Sequence, residues 1–154
     1  AVDTFVKLGI IDETGAMDGE SVEIGNSKIT LTQGDVRKLQ LAKAAIAAGI
    51  DTLISESAVG ENGLSALHLA GGFGSYLQAE PAAGIGLIPR PLARNADPAG
   101  NTSLTGAVLL TLSRKARKVS EELAAKAHEV ELSTNPVWND SYIDNMAFPK
   151  EDDD

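Results

Sequence analysis

Two short glycine-bearing turns hold the residues of this chain best suited to chemistry. The first is Gly71-Gly72-Phe73-Gly74-Ser75, entered from the apolar run Leu67-His68-Leu69-Ala70. Glycine has no Cβ and reaches φ > 0. Gly71, Gly72 and Gly74 therefore let the main chain bend sharply and lie close to a flat or charged ligand. A strand ending in such a turn is where α/β proteins commonly seat nucleotides. The same spacing suits a tight strand-to-helix turn that holds nothing, and glycines alone do not choose between the two. The second turn is Gly100-Asn101-Thr102-Ser103, which opens an apolar-periodic run whose first N–H groups could receive an anion. Asn101 offers a donor and an acceptor to a base, a ribose or a phosphate. Its simpler role is to cap the helix.

Other catalytic constellations are missing. The chain has two histidines, His68 and His128, both in segments read as strands, and it has no cysteine. No paired histidines or cysteines stand at zinc-ligand spacing, so no metal site is expected and catalytic residues stay unassigned. No serine sits in a nucleophile elbow. Thr32, Gln33 and Asp35 form the best polar cluster beyond the glycine turns, and a capped helix start accounts for them. The absence of cysteine excludes disulfides and thiolate-held clusters within these residues and fits a cytoplasmic setting.

The net charge of −9 disfavours nucleic acid as a partner. The basic run Arg114-Lys115-Ala116-Arg117-Lys118 reads as the solvated face of a helix, and residues 150–154 as an acidic disordered tail. No apolar run approaches the ~20 residues that span a bilayer, and no basic-then-apolar leader is visible. Aromatic residues make up only 4 % of the 154, so the core must rest on Ala, Leu, Ile and Val.

The elements that must position the two turns follow from periodicity. Val2 to Leu8 reads as a helix closed by Gly9, and Val22, Ile24, Ile29 and Leu31 as a β-hairpin around Gly25-Asn26-Ser27. Thr32 begins a long helix running to about Ser57. Within it, Gly49 and the alanines from Ala42 to Ala48 predict close packing against a neighbour. Gly60 to Gly63 is a turn before a buried strand over Leu67–Ala70. A helix opens at Ala79-Glu80-Pro81 and ends near Gly86, and Pro89 and Pro91 enforce an irregular connection. Asp97 to Thr102 reads as a turn, Ser103 to Ala127 as one long helix, and His128 to Ser133 as a strand. The resulting order is α/β.

These segments resemble, in order over roughly residues 29 to 149, the C-terminal domain of the reductive activators of corrinoid proteins. The resemblance rests on Ile29-Thr30-Leu31-Thr32-Gln33, Asp35-Val36-Arg37 and Leu39-Gln40-Leu41-Ala42-Lys43-Ala44-Ala45-Ile46. It continues through Leu69-Ala70-Gly71-Gly72-Phe73-Gly74-Ser75-Tyr76-Leu77, Ile85-Gly86-Leu87-Ile88-Pro89, Gly100-Asn101-Thr102-Ser103-Leu104 and Glu131-Leu132-Ser133-Thr134-Asn135-Pro136. It implies one lobe of an actin-like ATPase (ribonuclease H-like) fold, with a mixed sheet and two long packing helices. It also implies ATP with Mg2+ as cofactor of the whole protein. There, ATP drives an electron from an iron–sulfur module onto cob(II)alamin, restoring the cob(I)alamin of a corrinoid methyl-transfer partner. In that fold the glycine turn lies against adenosine and the α-phosphate. The resemblance thus implies cofactor contact at Gly71, Gly72, Phe73, Gly74 and Ser75, and a further contact at Asn101.

The chain departs from the family by lacking cysteine for the iron–sulfur cluster and by being far shorter than a two-lobed protein. We expect residues 1–26 to be a lead-in from a preceding region, 27–149 the nucleotide-binding lobe, and 150–154 the tail. Phosphoryl transfer needs groups on both sides of the nucleotide, so these residues alone are expected to hydrolyse ATP negligibly. The rival expectation is an interaction module of the same scaffold that docks the corrinoid protein or forms a homodimer, with little nucleotide chemistry of its own. A small-molecule phosphotransferase is disfavoured because no acceptor-activating acid stands out.

Overall fold

The computed structural model describes residues 1–57, 59–60, 63–74 and 76–150. Its elements run from α1 (Val2–Lys7) through a hairpin, β1 (Ser21–Glu23) and β2 (Thr30–Thr32), into α2 (Gln33–Glu56). The hairpin is antiparallel with Val22 opposite Leu31, matching the alternation of apolar residues. Thr32 starts α2 by reciprocal capping. Its hydroxyl accepts from the Asp35 N–H at 3.2 Å, and the Asp35 carboxylate accepts from the Thr32 N–H at 3.2 Å and its hydroxyl at 2.6 Å. These bonds to Thr32, with Lys38 beside it, hold the Asp35 carboxyl below its ordinary range.

Val36, Gln40, Lys43, Ala44, Ala47 and Ala48 recur at helical spacing and are buried, so one face of α2 meets the core. α8 (Pro136–Asp144) lies along it. Phe5 and Ile11 from the N-terminal end join Val36, Ala82, Ala83, Ile85, Ile88 and Phe148 in one cluster. The small residues expected to mark close packing divide. Ala44, Ala47 and Ala48 are buried, but a Cβ on Gly49 would meet nothing within 4 Å. Gly49 sits on the outer side of the helix.

β3 (Leu67–Ala70) is followed by α3 (Gly71–Gly74), α4 (Ala79–Gly84) and α5 (Arg90–Ala93) before β4 (Ala96–Gly100). Leu67 and Leu69 are half-buried while His68 and Ala70 are exposed, so the strand has one covered face rather than two. The connection expected to be irregular around Pro89 and Pro91 is a single helical turn, with Pro89 at its N-cap and Pro91 in its first turn, where a missing N–H costs nothing.

Three further expectations are corrected. Asp97 to Gly100 is not a turn but belongs to β4, which pairs in parallel with β3 from Leu67↔Ala96 to Ala70↔Gly100. Pro98 concealed the strand. It is accommodated because β4 pairs with β3 alone among the described residues, and an edge strand tolerates a residue without N–H. The long second helix is two, α6 (Thr102–Leu112) and α7 (Arg114–Ala124). Ser113 turns extended (φ −131, ψ 115) and its hydroxyl accepts from Ala116 N–H, so it ends one helix and caps the next. Residues 128–133 form no strand. Glu131 instead accepts from the Ser133 N–H and hydroxyl, a local side-chain turn that competes with extended pairing. Of the acidic tail, residues 151–154 lie outside the described residues.

Candidate functional site

Parallel pairing decides where the two glycine turns fall. Ala70 and Gly100 are register partners at the C-terminal ends of β3 and β4. Gly71 and Asn101, the next residue on each strand, therefore emerge side by side on one edge. Carboxyl ends of parallel strands are where open α/β sheets place ligands. Both turns are visible in the sequence, but only β4, which Pro98 conceals, brings them together.

The three glycines have different jobs. Gly71 sits at φ +87, a conformation that only glycine adopts readily, and starts the turn. A Cβ on Gly74 would stand 2.9 Å from the Leu69 carbonyl carbon and 3.1 Å from its oxygen, so this glycine lets α3 fold back onto β3. A Cβ on Gly72 would meet nothing within 4 Å, and its φ is not left-handed. Gly72 is exposed, and its main chain can be approached closely from outside. Phe73 lies within α3; its side chain, and Ser75 altogether, fall outside the described residues.

Asn101 caps α6, its side-chain oxygen accepting from the Leu104 N–H at 3.1 Å. The capping role is thus fulfilled. Across the strands, His68 Nδ1 stands 3.4 Å from Asp97 Oδ2, with both side chains exposed. His128 is not in a strand. Among the described residues no group of three or more His, Cys, Asp or Glu could hold a metal ion. No helix there is long and apolar enough to cross a membrane.

The buried polar side chains of the described residues, Gln40, Lys43 and Thr52, all lie on α2. Lys43 is 1 % exposed and its ammonium donates to the carbonyls of Asn145 and Ala147, each at 2.6 Å. The same ammonium lies 5.4 Å from the Phe148 ring centroid. Burial pushes its pKa down from 10.5 to about 8. Gln40 donates to Thr14 and Met146 carbonyls at 3.0 and 2.8 Å. A cleft of about 420 Å³ beside Arg37, Gln40, Leu41 and Ile143 opens between α2 and α8, and one of about 270 Å³ beside Asp51, Gly86, Arg90 and Asn145 opens nearby. Neither is lined by the glycine turn or Asn101.

Comparison with known proteins places the chain in one family. A family model described as the C-terminal domain of RACo, the ASKHA domain, covers residues 5–154. The chain is 34 % identical over 130 residues to the corrinoid activation enzyme RamQ of Eubacterium limosum, across 84 % of this chain and 22 % of that protein. It is 29 % identical over 145 residues to a Co(II) methylated amine-specific corrinoid protein reductase of Methanosarcina barkeri, across 93 % of this chain and 26 % of that protein. A solved reductive activator for corrinoid, iron-sulfur protein superposes with a TM-score of 0.83 at 32 % identity, over 98 % of this chain and 27 % of that one. The chain thus spans about a quarter of the length of these relatives. With residues 5–154 matched and its fold shared, the chain belongs to the RACo C-terminal ASKHA family, an actin-like ATPase fold.

Proposed function

We propose that these residues form the nucleotide-binding lobe of an ATP-dependent reductive activator. Such a protein returns a corrinoid partner to the cob(I)alamin state with an electron from an iron–sulfur module outside this chain. The observation that carries this reading is the adjacency of Gly71 and Asn101 at the C-terminal edge of β3 and β4. The residues present fit a nucleotide. Gly72 is exposed and carries no Cβ, so a planar base or a sugar–phosphate can approach its main chain closely. The Asn101 amide, held in place by its cap bond, supplies a directed donor.

ATP supplies the free energy, through phosphoryl transfer, that makes an uphill reduction possible. The role of this chain is to bind and orient. Gly74 fixes the turn against Leu69, Gly71 sets its left-handed entry, and Gly72 presents the backbone. Groups that position the terminal phosphate and its metal would come from elsewhere in the longer protein.

Replacing Gly72 with phenylalanine tests the reading, because a Cβ there meets nothing within 4 Å and the ring would occupy the face that a ligand needs. In the full activator, G72F is expected to weaken ATP binding at least ~10-fold, about 1.4 kcal/mol, and to abolish ATP-dependent corrinoid reduction with docking of the corrinoid protein intact. Unchanged ATP affinity by calorimetry would overturn it and favour a lobe that serves docking alone.

A further inference from the structure

The helices that follow the candidate site carry an apolar surface that none of the described residues covers. α6 reads Thr-Ser-Leu-Thr-Gly-Ala-Val-Leu-Leu-Thr-Leu, without a charge, yet no residue of α6 or α7 is buried. Gly106 and Leu110 are half-covered, whereas Leu104 is 61 % and Leu112 81 % exposed, with Val108 between them on the helix. Leu104, Val108 and Leu112 recur at four-residue spacing and form one stripe. On α7, Val119 and Leu123 are exposed as well. A helix of this length with no charge and apolar residues around most of its circumference is the pattern of a core helix in a larger body, not of a surface helix.

The neighbouring sheet carries the same mark. Among the described residues β3 and β4 form a two-stranded parallel pair, with His68 and Ala70 exposed on β3 and Asp97, Pro98 and Ala99 exposed on β4. Parallel sheets occur with both faces covered and with more strands than two.

We propose that the Leu104–Val108–Leu112 stripe, with Val119 and Leu123, is an intramolecular docking surface. Its occupant is the additional polypeptide that a longer activator carries beyond these residues, and the contact is apolar at its centre. Three observations favour that occupant over a second copy. The relatives are about four times as long as the matched region. The solved activator keeps this arrangement over 98 % of the chain, so the placement of α6 is compatible with the presence of that extra length. A second copy would bring a further charge of −9 against the first. The surface also shares a helix with the candidate site, since α6 starts at the Asn101 cap. That link rests on the proposed nucleotide reading; the docking surface itself does not.

The experiment uses the protein as its gene encodes it, with V108E/L112E as the test variant and K115E, on the charged side of α7, as the control. Hydrogen exchange followed by mass spectrometry should show the amides of 104–112 slowed ~100-fold or more relative to an open helix. V108E/L112E should lower the melting temperature by roughly 5 °C or more, and K115E should leave it unchanged. Fast exchange with an unchanged melting temperature overturns the proposal. So does protection that rises with protein concentration, which assigns the surface to a second copy, or a gene that encodes no further chain. None of these readouts involves ATP, so failure here is distinct from failure of the nucleotide reading.

Discussion

At the residue scale, Gly72 and Gly74 look interchangeable in the sequence and are opposites in the structure. Gly74→Ala forces a methyl against the Leu69 carbonyl, so the main chain must shift; the expected cost is about 1–3 kcal/mol of stability. Gly72→Ala meets open space within a helical turn and should be neutral or slightly stabilising. Chemical denaturation of the two variants checks the contrast, and equal losses would contradict it. Lys43 offers a second test at this scale. Burial lowers its pKa to about 8 from 10.5, so between those values the unfolded chain holds a proton that the folded chain has released. Stability from this group therefore rises with pH across that window, by at most about 3 kcal/mol, and levels off above it. In Lys43→Met the rise should vanish, which urea melts at pH 7.5, 9 and 10.5 would show. The slope is the diagnostic, because the substitution also leaves the Asn145 and Ala147 carbonyls without their donor.

At the element scale, the start of α2 was legible because its signal is local. Thr32 and Asp35 stand three apart, and the structure closes three hydrogen bonds between them. Thr32→Ala should cost about 1 kcal/mol, read as a shift in the denaturation midpoint. The carboxyl of Asp35, held low by Thr32, makes this contribution one that fades as pH falls through the acid range, since the folded group gives up its proton more readily than the unfolded one. The hairpin was legible for the same reason, its apolar alternation lying within a dozen residues. β4 was not. Pro98, Asp97 and Gly100 all signal a turn, and only pairing with β3, some thirty residues earlier, makes the segment a strand. The break at Ser113 was hidden differently. The apolar period continues through it, and one serine hydroxyl reaching Ala116 N–H decides the outcome. For the candidate site, the residue types could be read but not their adjacency, because adjacency depends on β4.

At the scale of the whole molecule, burial is unevenly distributed, and that unevenness separates the folding core from surface meant for something else. The core ties the two ends of the chain together. Phe148 is 2 % exposed, its N–H donates to the Glu13 carbonyl at 2.8 Å, and its ring lies beneath the Lys43 ammonium. Lys150 reinforces the closure with an ion pair to Glu13 at 2.9 Å. Phe148→Ala removes a filled volume at this junction, and the expected cost is about 3–5 kcal/mol. That cost should be the same however much chain surrounds residues 1–150, because every contact involved lies within them. Leu112→Ala should behave otherwise. On these residues alone the side chain is 81 % exposed and its truncation should be close to neutral. In a longer activator whose added chain covers α6, the same substitution should cost about 2–5 kcal/mol, as for any buried leucine. Measuring both variants by denaturant melts in the full activator gives the ratio that matters. A near-zero cost for Leu112→Ala beside a large one for Phe148→Ala would leave α6 a surface helix and contradict the docking surface. Comparable costs would make α6 part of a core that this chain only begins.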